Sequence, residues 1–235
     1  MSLTRDLTRP LTRSLTGDLT DRNQFETCRY LTTMDAASGK NYTIPSITLT
    51  NADFLLEFKY QAPSAPSGNQ SLFAGPLSAP WAGINATTGA SRIKYGGTTL
   101  IGSVDICDGD EHLVWHLRLA GTQYIYVDRV PDNSVATTSD AFEITAIGDL
   151  PVAGGFESDG KISDIRIYGS GVLQRNYKVD QNWGSSQLFD YSVNAQHGEA
   201  VSIVAADAER FCKNTETTPN QWENADKSTI IPIAY

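Results

Sequence analysis

The amino-acid sequence predicts an all-β sandwich with an extended N-terminal arm and a C-terminal extension. Short alternating runs, broken by Gly, Pro, Asn and Asp, extend from Tyr42 to Tyr168 without a sustained helical period. Leu-Thr pairs recur every four residues before them. The 235 residues, 40% of them hydrophobic, suffice for one core, since all-β sandwiches often reach about 200 to 250 residues. We expect the arm at 1–25, the sandwich at 26–170 and the extension at 171–235.

The N-terminal repeat favours an extended segment over a helix. A four-residue period drifts around a helix of about 3.6 residues per turn, and Pro10 and the regular threonines disfavour helix. Composition also allows a disordered tail, but an arm without its own core gains order through contacts with another molecule. We therefore predict an assembly tether whose contacts are made by Leu3, Arg5, Leu7, Arg9, Leu11, Arg13, Leu15 and Leu19.

Alternation also predicts which side chains of the central strands face the core. We expect Phe54, Leu56, Phe58 and Tyr60 to point inward, since they alternate with Leu55, Glu57 and Lys59. In the strand beginning near His112 we expect an inward face of Leu113, Trp115, Leu117 and Leu119, with His112, Val114, His116 and Arg118 outward. A turn at Ala120-Gly121-Thr122 then predicts a hairpin with Tyr124 to Val130. Ile165 and Ile167 form a further inward pair.

Several segments, in order, resemble the laminin G/pentraxin-like branch of the concanavalin A-like sandwiches. They are Ser71-Leu72-Phe73-Ala74-Gly75, Asp108-Gly109-Asp110-Glu111-His112-Leu113-Val114, Tyr124-Ile125-Tyr126-Val127-Asp128-Arg129 and Gly160-Lys161-Ile162-Ser163-Asp164-Ile165-Arg166-Ile167-Tyr168. The resemblance covers residues 42–168 and implies a concanavalin A-like jelly-roll β-sandwich. Glu111 stands where the family usually has Trp, and Arg129 replaces the turn glycine, so the loops are expected to differ.

The N-terminal repeat resembles the tetrad-repeat arms of bacteriophage virion proteins, and the segment from Val179 to Trp222 resembles one found in phage-encoded members of the same family. This resemblance implies a structural virion protein that decorates a capsid or belongs to a head, tail or baseplate fibre. Its partners would be other virion structural proteins, bound through the arm, and a host-surface glycan, bound by the sandwich. We also expect a homo-oligomer, because arms of this kind often intertwine.

Charge and hydropathy exclude other classes of partner. A net charge of −9 opposes binding to nucleic acid, which needs a basic surface. No apolar run approaches the roughly 18 residues of a membrane span, and Met1 to Asp6 lacks a signal-peptide core. We therefore expect no membrane insertion, assembly into a virion in the host cytoplasm, and release by lysis. Cys28, Cys107 and Cys212 are far apart and are expected to be free thiols.

The residue patterns predict no catalytic residues. Glu111, His112 and His116 lack the His-Glu-x-x-His order of a zinc protease. Neither the Glu-x-Asp-x-x-Glu strand of related β-glucanases nor a Gly-x-Ser-x-Gly elbow occurs. Asp108 and Asp110 are weak calcium candidates, because one short cluster falls short of the six to eight or so oxygen ligands that calcium takes. We therefore expect no obligatory cofactor.

Two aromatic residues in Gly/Pro-rich segments are candidates for glycan binding. Trp81 follows Ser78-Ala79-Pro80, and Tyr95 precedes Gly96-Gly97. Each ring would either stack on a sugar or cap the edge of the sandwich. Besides the virion protein, a free-standing carbohydrate-binding lectin and a polysaccharide-degrading enzyme therefore stay open as functions.

Overall fold

The computed structural model describes residues 28–34, 40–50, 53–138, 140–151, 159–177, 187–201, 208–213, 221–224 and 230–232. The predicted assembly arm, Leu3 to Leu19, lies outside these ranges. The strands are β1 (Cys28–Met34), β2 (Asn41–Thr50), β3 (Phe54–Gln61), β4 (Gln70–Ala74), β5 (Trp81–Ile84), β6 (Ala90–Tyr95), β7 (Thr98–Asp105), β8 (Glu111–Leu119), β9 (Thr122–Val127), β10 (Val130–Ala136), β11 (Ala141–Ile147), β12 (Gly160–Gly169), β13 (Val172–Tyr177), β14 (Gln187–Leu188), β15 (Gly198–Val201), β16 (Ala208–Lys213), β17 (Gln221–Asn224) and β18 (Ile230–Pro232). Within the described ranges there is no helix, and hence none that could span a membrane.

The chain forms two compact units, one of residues 30–209 and one of residues 1–29 and 210–235. The larger unit contains two antiparallel sheets that share one hydrophobic core. The first sheet has the order β10-β9-β8-β3-β12, and both β1 and β13 pair with the remaining edge of β12. The second has the order β14-β15-β2-β11-β4-β5-β6-β7. The predicted all-β sandwich is thereby confirmed.

Strand β3 supplies the centre of the core, as its alternation predicts. Phe54, Leu56, Phe58 and Tyr60 are all buried. The ring of Phe54 lies 5.3 Å from Tyr95 and 5.9 Å from Phe142, and Phe58 lies 5.1 Å from Phe73. Tyr95, Phe142 and Phe73 belong to the second sheet, so edge-on aromatic contacts join the two layers. The inward positions of Ile165 and Ile167 are also confirmed.

Strand β8 presents the face opposite to the one predicted. Val114, His116 and Arg118 are buried, whereas Leu113, Trp115 and Leu117 are partly exposed and Leu119 is 49% exposed. The cause is the pairing with β3, in which Val114 lies opposite Phe58 and His116 opposite Leu56. Residues directly opposite each other share a sheet face. The prediction of an inward Leu113, Trp115, Leu117 and Leu119 was therefore wrong, as was that of an outward Val114, His116 and Arg118.

The C-terminal part of the chain is also all-β where it is described. Strands β13 to β15 join the two sheets of the larger unit. The sequence from Ala205 to Phe211 predicts a short helix, but the described residues Ala208–Lys213 form a strand that pairs with Gln221–Asn224. Antiparallel pairing there overrides the high helix propensity of Ala, Glu and Arg.

Candidate functional site

Four aromatic rings project from the outward side of the first sheet. Trp115 lies on β8, Tyr124 and Tyr126 on β9, and Tyr168 on β12, and all four are partly exposed. The ring centroids of Trp115 and Tyr126 are 5.8 Å apart, and those of Tyr124 and Tyr126 are 6.3 Å apart. We name these four residues the aromatic platform.

The strand register fills the space between the rings with leucines. Tyr168 lies opposite Leu55, Leu55 opposite Leu117, and Leu117 opposite Tyr124, so one row crosses β12, β3, β8 and β9. Beside Tyr168, Leu55 and Leu117 of this row lies a groove of about 750 Å³, which is also lined by Leu119, Asp53 and Ser170. The platform therefore continues into a surface groove.

The charged side chains beside the platform are paired with one another. Arg166 donates a hydrogen bond to the carboxylate of Glu57. Lys59 Nζ lies 2.6 Å from Asp164 Oδ2 and 3.9 Å from Glu111 Oε1. Because each charged side chain lies beside one of opposite sign, the surface around the apolar ring faces carries little net charge. Such a surface suits the apolar face of an uncharged sugar ring, with tyrosine hydroxyls available for hydrogen bonds.

The two glycan candidates chosen from the sequence, Trp81 and Tyr95, are not on this surface. Trp81 is 3% exposed and Tyr95 is 1% exposed. The Tyr95 hydroxyl donates a 2.5 Å hydrogen bond to the carbonyl oxygen of Asp140, and the guanidinium of Arg92 covers the Trp81 ring at 5.1 Å. Neither ring has a face open to a sugar in this conformation, which favours the structural role that the sequence also allowed.

His112, at the start of β8, lies between two aspartates, one before β8 and one after β9. His112 Nδ1 lies 2.8 Å from Asp128 Oδ2, and its Nε2 lies 3.1 Å from Asp108 Oδ1. Burial favours the neutral imidazole, but the hydrogen bonds and charges of Asp128 and Asp108 outweigh it and raise the pKa of His112. Asp108 Oδ1 also accepts the Asp110 amide at 2.9 Å. No group of three His, Cys, Asp or Glu in the described ranges is arranged to hold a metal ion.

The turn that carries Asp128 places two non-glycine residues in the left-handed region. Asp128 and Arg129 both have positive φ, 51° and 69°, which is the conformation of a two-residue hairpin turn. Asp128 Oδ1 accepts the Leu113 amide at 2.9 Å. Arg129 therefore occupies a backbone position that favours glycine.

A Ser-His contact also occurs, but it lies inside the core. His116 Nε2 is 2.5 Å from Ser91 Oγ, and both residues are 0% exposed. Burial lowers the pKa of His116 to about 3, so the imidazole is neutral at ordinary pH. No described residue bonds to His116 Nδ1. A substrate has no access to this pair, and its role is structural.

Cys107 is a buried free thiol, as predicted, whereas the side chains of Cys28 and Cys212 lie outside the described part of the chain. Burial, with smaller contributions from the charges of Asp105 and Asp108, raises the pKa of Cys107 to about 12. The thiol is therefore protonated at neutral pH and is not a nucleophile.

Comparison with known proteins gives similarity at the level of fold. No family model and no curated protein matches the chain. A candidate carbohydrate-binding protein from Bacteroides ovatus is 14% identical with a TM-score of 0.59, over 73% of this chain and 58% of its own. Domains LG4-5 of the mouse laminin alpha1 chain are 14% identical with a TM-score of 0.48, over 63% and 44%. A heptameric SAP-like pentraxin from Limulus polyphemus is 14% identical with a TM-score of 0.41, over 59% and 74%.

The chain thus spans little more than half the length of the Bacteroides protein. Identity at this level carries information about the fold and not about the ligand. Together with the two antiparallel sheets and their shared core, the likeness identifies the fold as a concanavalin A-like jelly-roll β-sandwich.

Proposed function

We propose that this chain is a non-enzymatic, lectin-like module that binds a neutral glycan chain on the aromatic platform. The observation that supports the proposal is the set of outward rings of Trp115, Tyr124 and Tyr126 on the paired strands β8 and β9, with the Tyr168 ring on the same sheet face beyond β3. Aromatic rings stack on the apolar faces of sugars and keep a polar tip for hydroxyl groups. The paired charges around Glu57 and Lys59 favour an uncharged polymer over an acidic one.

The first test replaces Trp115 with Ala and measures retention in native gels that contain neutral polysaccharides, including those of the host envelope. Loss of a central ring of this kind costs about 2 kcal/mol, so we expect binding about 30-fold weaker. Trp115→Phe keeps a ring and should bind within a few-fold of the unmodified chain. Leu77→Ala removes an exposed side chain outside the platform and should change nothing.

Three results would contradict this proposal. The unmodified chain could pass through every gel without delay, or Trp115→Ala could bind as tightly as the unmodified chain. Shortening of the glycan during incubation would instead identify a polysaccharide-degrading enzyme. An apolar sheet face can also join two copies of a protein, and this would change mobility in the gel as well. Light scattering on the same samples gives the oligomeric state and so shows which of the two causes changed the mobility.

We also propose that residues 1–25 fasten the module to structural proteins of a bacteriophage virion, as capsid decoration or as part of a fibre. The support is the Leu-Thr repeat, whose regular leucines and arginines fit pockets and carboxylates on a neighbouring subunit. Deletion of residues 1–20 is expected to abolish incorporation into particles, measured by immunoblotting of purified virions, while retention on glycan persists. Undiminished incorporation of the deletion variant would refute the tether, because other residues would then hold the chain in the particle. Absence of the unmodified chain from purified virions would leave a free-standing lectin.

A further inference from the structure

The outer edges of the two sheets meet on one side of the sandwich. Strand β10 is the last strand of the first sheet, and β7 is the last strand of the second. An edge strand carries backbone amide and carbonyl groups that no neighbouring strand pairs, and these groups can pair with a strand of another molecule. In the described part of the chain, side chains of β10 occupy part of the β7 edge.

Two side chains of β10 bond directly to the backbone of β7. The Ser103 amide donates to Asp132 Oδ1 at 2.9 Å and to Oδ2 at 3.0 Å, and the Ser103 hydroxyl donates to Oδ1 at 2.5 Å. Asn133 Nδ2 donates a 2.8 Å hydrogen bond to the carbonyl oxygen of Ile101. One amide and one carbonyl group of the β7 edge are thus closed to a strand from another molecule. We name Asp132 and Asn133 the edge cap.

Two local features bring the Asp132 carboxylate onto β7. The pairing of β10 with β9 shifts between Pro131 and Asn133, so Asp132 is the extra residue of a β-bulge. A bulge leaves its extra residue unpaired and changes the direction of its side chain. On β7, Gly102 leaves room for the carboxylate, because a Cβ there would lie 2.1 Å from Asp132 Oδ2. The contact therefore depends on a bulge in one strand and a glycine in the other.

Strand β7 itself is well suited to pairing with a copy of itself. From Thr98 to Val104 it reads Thr-Thr-Leu-Ile-Gly-Ser-Val, without a charge or a proline. Short uncharged segments of high β propensity associate with one another when their edges are open. Val104, and Val130 at the start of β10, are also exposed. A second copy of the chain is the partner that fits this edge, because the same strand can pair with itself about a two-fold axis.

We propose that the edge cap keeps the β7 strands of two copies from pairing, so that its removal opens a strand-pairing surface. The cap acts by holding the Ser103 amide and the Ile101 carbonyl, which are groups that an added strand would need. Pairing at this edge does not use the sheet face that carries the aromatic platform. Association through β7 is therefore separate from the proposed glycan binding.

The test compares variants of the full chain by size-exclusion chromatography with light scattering at rising protein concentration. Asp132→Ala removes the carboxylate, and Gly102→Ala displaces it without changing the charge. Both should reach about twice the mass of the unmodified chain or more, since two-fold dimers are the commonest closed assemblies. Asp132→Asn keeps an oxygen acceptor for the Ser103 amide and should retain the mass of the unmodified chain. Gly68→Ala is the matched control, because its Cβ would meet nothing within 4 Å.

Hydrogen exchange locates the new contact, because strand pairing protects edge amides from solvent. In Asp132→Ala the exchange of residues 98–105 should slow as the protein concentration rises, whereas in the unmodified chain it should not depend on concentration. Circular dichroism on the same samples shows whether each variant is folded, and Gly102→Ala decides if Asp132→Ala does not fold. Folded variants that keep the mass of the unmodified chain would overturn the proposal, as would larger assemblies without slower exchange in residues 98–105.

Discussion

Replacement of Phe142 by Ala is expected to lower the free energy of unfolding by about 3 to 5 kcal/mol, the usual cost of removing a fully buried ring. Phe142 lies on β11 of the second sheet and is 0% exposed. Its ring meets Phe54 of the first sheet at 5.9 Å and Tyr95 of its own sheet at 6.4 Å. The substitution therefore opens a cavity at the contact between the layers, where rigid strands on both sides limit collapse.

Urea unfolding followed by tryptophan fluorescence measures this loss, and a thermal scan should show a midpoint lower by roughly 10 °C for a domain of this size. Leu77→Ala is the matched control, because Leu77 is 64% exposed and its truncation should change stability by less than about 0.5 kcal/mol. A Phe142→Ala protein with a midpoint within about 2 °C of the unmodified chain would show that the two sheets are held together elsewhere.

The fold was predictable because its strongest signals are local. In β3 the apolar residues Phe54, Leu56, Phe58 and Tyr60 alternate with side chains that include Glu57 and Lys59. This pattern favours the assignment in which the four apolar residues face the core. The Ala120-Gly121 turn likewise marked the hairpin of β8 and β9 correctly. These features depend on neighbours in sequence, which the sequence alone shows.

The platform was missed because β8 violates the rule that apolar residues face inward. Both faces of β8 carry apolar and polar residues, and the face with Leu113, Trp115 and Leu117 is the more hydrophobic. The length of the hairpin turn between β8 and β9 was the signal that would have corrected this assignment. A two-residue loop at Ala120-Gly121 places His116 opposite Ile125 and Trp115 opposite Tyr126.

Ile125 and Val127 are the natural core face of β9, so the register alone would have turned Trp115 outward. The residues that pack against the buried face of β8 could not be predicted from the hairpin register. His116 is accommodated in the core by Ser91, 25 residues away, and Arg118 is accommodated by the ring of Tyr95, at 5.6 Å. These are long-range contacts that no periodicity encodes.

The buried imidazole of His116 is expected to make the protein sensitive to acid. Its pKa is lowered to about 3 by burial, whereas an exposed histidine in the unfolded chain has a pKa of about 6.5. Between these values the unfolded state binds a proton that the folded state does not, so stability falls as the pH falls. The slope is about 1.4 kcal/mol per pH unit, which gives a loss of roughly 2 kcal/mol between pH 7 and pH 5.

Urea unfolding at a series of pH values between 4 and 8 measures this effect. His116→Gln keeps an acceptor for Ser91 but does not titrate, so its acid limb should be flatter by about 1.4 kcal/mol per pH unit, even if it is less stable at pH 7. His112→Gln is the control with the opposite sign. Because the pKa of His112 is raised, its contribution is complete below about pH 6.5 and is lost as the pH rises through the folded pKa. The His112 variant should therefore keep the steep acid limb, and an equally steep limb in His116→Gln would place the acid sensitivity in other groups.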